Sequence, residues 1–78
     1  MFKATIITAN NTLFEGEAWS VFLPGATGEF EILELHKPIV SLLKKGKIII
    51  DWHKEIPIEK GAVRMSGDEL VAVVKSAG

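Results

Sequence analysis

Two histidines, three closely spaced glutamates and three lysines around a glycine are the side chains of this sequence that could do chemistry. His36 and His53 are its only histidines. A zinc or transition-metal site would need a third ligand at a recognisable spacing, and none is supplied. His36 therefore reads as a loop residue bonding a backbone carbonyl, and His53 as a turn residue. Glu29, Glu31 and Glu34 follow within one short stretch. On a strand, Glu29 and Glu31 point to one face, since side chains alternate. Paired carboxylates do acid–base work only where a cleft raises one of the two pKa values, and a domain of 8.5 kDa rarely encloses one. Two readings stay open: a solvated face, or a docking surface that accepts charge-assisted bonds from a basic partner.

Lys44, Lys45 and Lys47 flank Gly46. A lysine in a hairpin suggests a biotinyl or lipoyl carrier, but the flanking apolar residue and matching half-domains of such carriers are absent. The ordinary reading is a charged turn that protects strand edges. Ser20, Ser41, Ser66 and Ser76 lack a Gly-x-Ser-x-Gly context, and no phosphate-cradling glycine motif occurs. The residues offer no active site, and no cofactor is implied.

Whatever these side chains do, short β-strands must position them. The dominant hydrophobic period is two. Phe2 to Thr8, Leu13 to Glu17, Trp19 to Leu23, Glu29 to Leu33, Ile39 to Leu43 and Lys47 to Trp52 read as strands. Ile56 to Lys60, Ala62 to Ser66 and Leu70 to Val74 follow, the first of these at an edge because of Pro57. Turn signals stand between them at Asn10-Asn11, Pro24 to Gly28, Lys45-Gly46 and Gly67-Asp68. Only Ile39 to Lys45 competes as a helix, and it is too short to stand unaided. The expectation is a single all-β domain over residues 1–78, a small antiparallel β-sandwich of about nine to ten short strands.

Composition narrows the function classes. The chain has 78 residues, no cysteine and 47% hydrophobic residues, so its stability rests on an apolar core or a covering partner. A formal charge of −1 and no basic stripe with interleaved aromatics argue against nucleic acid, an oligonucleotide-binding barrel included. No window approaches a membrane span, and the amino-terminus lacks the apolar run of a signal peptide, so a soluble, unexported chain is expected. Trp19, Val21 and Leu23 share one face of their strand and Phe22 takes the other, so an aromatic is expected outside as an interface anchor. One sheet should then carry apolar residues outward, with Trp19, Phe22 or Val21 among them.

The stretch from Leu23 to Gly46 resembles the signature of the F-type ATP synthase epsilon subunit, which is called delta in mitochondria. The residues that carry it are Leu23-Pro24, Gly28-Glu29-Phe30, Ile32-Leu33, His36-Lys37-Pro38, Ile39-Val40, Leu42-Leu43 and Gly46. Leu13 to Glu17 upstream, and Gly61 to Val63 and Leu70 to Val74 downstream, extend it along nearly the whole chain. The resemblance implies the ten-stranded β-sandwich of that family, a non-catalytic rotor part linking the gamma subunit to the c-ring of a proton- or sodium-driven synthase. It implies a place on the cytoplasmic, matrix or stromal side of the membrane, with membrane association only through the complex. It also implies that Glu29 and His36 face the ring and gamma, and Glu31 beside Glu29 joins them as an interface candidate. Glu31 stands where the family usually has glycine, Glu34 where it has proline and Leu35 where it has a small turn residue. A positive φ at that glycine would strain Glu31 by about 1 kcal/mol. The chain stops at Gly78, so the two-helix carboxy-terminal brake of many epsilon subunits is expected to be missing.

Overall fold

Alternation carries through into the backbone almost wherever it is written. The computed structural model of the protein describes residues 1–34 and 37–77. Eight strands follow in order: β1 Phe2–Ile7, β2 Thr12–Ala18, β3 Ser20–Leu23, β4 Phe30–Leu33, β5 Ile39–Leu43, β6 Gly46–Ile50, β7 Lys54–Ser66 and β8 Glu69–Ser76. They form one open sheet in the order β2-β1-β8-β7-β6-β3-β4, with β5 added against β7. All pairings are antiparallel except β1 with β8, which lie parallel.

Two layers arise because β7 belongs to both. Its first part, through Ile58, pairs with β6, and its remainder pairs with β5 and β8. The register slips between Ile58 and Lys60, an extra residue that bends and twists a strand. The slip also changes which parity faces inward. Ile56 and Ile58 are buried before it, Val63 and Met65 after it. The sequence stretches 56–60 and 62–66, expected as separate strands, are therefore one strand with a bulge, which is why eight strands stand where nine were counted.

The core lies between the layers. Phe2, Ile6, Leu23, Ile32, Ile48 and Leu70 are among its fully enclosed side chains. Each contributes about 1.5–3 kcal/mol relative to exposure, the main support of a domain without disulfides. Gly61 lets β7 and β8 close at the bulge: a Cβ there would lie 2.7 Å from the Val73 carbonyl oxygen and 2.8 Å from Val74 Cγ1. Gly67, at φ 63°, makes the two-residue β7–β8 turn, as Gly67-Asp68 predicts.

Four local expectations need correction. Trp19 is not part of β3; it sits at a bend and is exposed, while Val21 and Leu23 face the core. Val21 is thus no outward residue. β6 stops at Ile50 rather than Trp52, and Glu29 precedes β4 instead of opening it.

Candidate docking faces and the turn at Asp51

The strand register sorts the exposed apolar side chains into two groups. Met1, Trp19, Leu33, Val40, Leu42, Trp52 and Val73 are the large apolar residues exposed among the described residues. The aliphatic group lies across the outer side of β5, β7, β8 and β1. Two cross-strand rows build it: Val40, Arg64, Val71 and Thr5 in one, Leu42, Ala62, Val73 and Ile7 in the other. Val40 is 79% and Leu42 68% exposed, so nothing among the described residues covers them. A shallow groove of about 550 Å³ runs beside Leu42, Ala62 and Val73 and is bordered by Lys60 and Lys75. Those lysines stand directly opposite each other, a like-charge pair that a carboxylate from outside would relieve.

The second group gathers at one end of β3, β4 and β6. Ser20 pairs with Leu33, and Val21 with Ile50, which places Trp19, Leu33 and the β6–β7 turn together. The amino-terminus joins them, its ammonium 2.9 Å from Glu34. The opposite end carries the Pro24–Glu29 turn, against which the β5–β6 turn closes: a Cβ on Gly46 would meet Pro24 Cβ at 2.8 Å.

The β6–β7 turn is the most constrained piece of backbone described. The His53 N–H donates to the Ile50 carbonyl at 3.2 Å, and the two central residues have positive φ, 51° at Asp51 and 62° at Trp52. Both angles suit a hairpin of type I′, which glycine and asparagine usually supply. Placing two ordinary side chains there costs about 1–2 kcal/mol each. Asp51 offsets this. Its Oδ1 accepts from the Trp19 N–H at 2.7 Å and the Ser20 N–H at 3.1 Å, while its own N–H donates to the Ser20 carbonyl at 2.9 Å. Hydrogen bonds to a charged acceptor contribute up to about 1.5–3 kcal/mol and less where water competes, as at the exposed Trp19 N–H, so the two together offset much of the strain. His53 Nδ1 donates to the Asp51 carbonyl at 2.7 Å, the turn role expected of it.

Glu31 completes this end. Its Oε2 accepts the Ser20 hydroxyl at 2.5 Å and the Trp52 indole N–H at 3.1 Å. Positive φ among described non-glycine residues is confined to Asp51 and Trp52, so Glu31 is an ordinary strand residue, without the strain that a glycine-like backbone would impose. Glu29 is exposed, lies outside β4 and makes no hydrogen bond or ion pair among the described residues. Both glutamates are exposed, but only Glu31 is held by hydrogen bonds. His36 lies outside the described residues. Of the lysine trio, Lys47 is bound to Glu55 at 3.1 Å, and Lys44 and Lys45 form the β5–β6 turn. Asp51 and Trp52 escape sequence reasoning. The usable signal was aspartate, which strands avoid and left-handed turns accept.

Comparison with known proteins follows the same lines. Residues 1–77 match the family described as "ATP synthase, Delta/Epsilon chain, beta-sandwich domain". The chain is 34% identical to the ATP synthase epsilon chain of Sulfurimonas denitrificans, over 95% of its own length and 72% of the relative's. It is 37% identical to that of Campylobacter jejuni, over 92% of its own length and 59% of the relative's. A solved structure of the Tetrahymena thermophila mitochondrial ATP synthase central stalk and c-ring contains a chain of the same fold. The TM-score is 0.82 at 11% identity, covering 95% of this chain and 63% of that one.

Proposed function

Because the chain belongs to the ATP synthase delta/epsilon family, as its β-sandwich domain, we propose that it acts as a non-catalytic central-stalk subunit linking the gamma subunit to the c-ring. The observation that carries this reading is the exposed aliphatic patch of Val40, Leu42 and Val73, with Ala62 between the last two and Arg64 and half-buried Val71 beside Val40. Apolar surface of that breadth on a small domain marks a protein contact rather than a reaction site. A standard interface buries roughly 800 Å² per partner, about one sixth of the 4758 Å² that this domain exposes. We assign the aliphatic face to gamma. Glu29, Glu31 and His36 are the residues proposed to meet the ring and gamma, Glu29 from the Pro24–Glu29 turn.

Residues 1–78 then act as one domain, held peripherally on the cytoplasmic, matrix or stromal side through the complex, in a synthase driven by protons or sodium. Among the described residues no helix is long and apolar enough to cross a membrane. The test is co-purification of the tagged chain with gamma and the c-ring from source membranes. Parent chain should carry both partners, and Leu42→Asp should lose gamma while still folding. Equal recovery of gamma with parent and variant would overturn the assignment.

A further inference from the structure

The pocket lined by Ser20, Phe22, Glu31, Ile49 and Trp52 has a volume of about 330 Å³, and its walls differ in chemistry. The floor is apolar, since Phe22 and Ile49 stand opposite each other in the β3–β6 pair. Glu31 stands opposite Phe22 on the other side. The Trp52 indole closes the remaining wall and is 67% exposed.

The carboxylate in this pocket is oriented in advance. Ser20 and Trp52 both donate to Glu31 Oε2, which leaves Oε1 without a donor among the described residues. Lys47, the cation one place along the same face of β6, is committed to Glu55 at 3.1 Å. Among the described residues neither Glu31 nor Asp51 has an ion-pair partner.

We propose that this pocket receives an arginine side chain from a protein neighbour, its guanidinium stacked on Trp52 and hydrogen-bonded to Glu31 Oε1. Three features of the site select that chemistry. An anion would be repelled by Glu31. A metal ion would find a single free carboxylate oxygen above an apolar floor, too few ligands to hold it. A planar, weakly hydrated cation can stack on an indole, donate to a fixed carboxylate and lay its methylene stem on Phe22 and Ile49. Lysine, a strongly hydrated point charge, gains less from the same walls. The inference deepens the stalk reading, on which it rests only in requiring a protein neighbour.

The indole N–H of Trp52 donates to Glu31, so its nuclear magnetic resonance signal reads the site directly; Trp52→Phe assigns it against Trp19. Titration of the 78-residue chain with arginine amide should shift that signal and saturate at roughly 1–50 mM, as expected for one charge-assisted bond and one stacking contact. Lysine amide should bind about fivefold more weakly. Glu31→Gln keeps an oxygen for Ser20 and Trp52 but removes the charge, and should lose about tenfold in affinity. No arginine-dependent shift, or equal responses to arginine and lysine amides, would overturn the proposal even if the variant failed to fold. Absence of the arginine-selective response, with Leu42→Asp still losing gamma, would sink this inference and spare the stalk reading; the reverse pattern would do the opposite.

Discussion

At the scale of single residues, Asp51 is the side chain whose loss should be felt most widely at its end of the domain. Asp51→Ala removes the acceptor for the Trp19 and Ser20 N–H groups while leaving a non-glycine residue at φ 51°. Destabilisation of about 2–3 kcal/mol is expected, because the strain stays and its compensation goes. Asp51→Asn keeps both the oxygen and the tolerance for a left-handed backbone, and should cost less than half as much. Urea denaturation of the two variants separates these outcomes; equal losses would show that charge alone matters. Little of this was legible beforehand. Asp51 and Trp52 look like the end of an apolar strand, and what bends them back is a contact with Trp19 and Ser20, about thirty residues distant. Periodicity cannot see such a partner. Glu31 shows the converse: its identity as an interface candidate was readable, but its bonds to Ser20 and Trp52 depend on a turn that was not.

Elements were far easier to read than contacts. Strand β1 follows directly from alternation, because a half-buried strand must place every second side chain in the core, whereas β5 carries apolar Val40 and Leu42 on its outer side and was read from its flanking turns. What alternation hid was the continuity of β7, since a bulge resets the parity and makes one strand look like two. Gly61 at that bulge gives the sharpest test at this scale. Gly61→Ala would put a methyl group 2.7 Å from the Val73 carbonyl oxygen, forcing β7 and β8 apart at a cost of about 1–3 kcal/mol. Ile58→Ala, on the inner side of the same segment and fully buried, should cost about 2–5 kcal/mol through the cavity it leaves. Both are measurable as lowered urea midpoints. A Gly61→Ala chain as stable as the parent would mean that the two strands can separate there without penalty.

For the molecule as a whole, the outer aliphatic rows separate folding from assembly. Val73→Asp lies on that uncovered surface, so isolated stability should change by no more than about 0.5–1 kcal/mol. Binding to the stalk should fall by a factor of ten or more if Val73 lies within the buried contact. Thermal melting beside a pull-down with gamma distinguishes the two effects, and a large drop in melting temperature would place Val73 in the folding core instead. The all-β architecture was visible in the sequence. The split of its apolar surface into an aliphatic face and an aromatic end was not, because it depends on which strands become neighbours. One last property comes from β7 being shared between the layers. Neither layer can peel away alone, since the same covalent strand runs through each. Amides on β6 and β8 should consequently exchange with deuterium through a single common opening event, and a twist applied to one layer reaches the other along the peptide backbone itself.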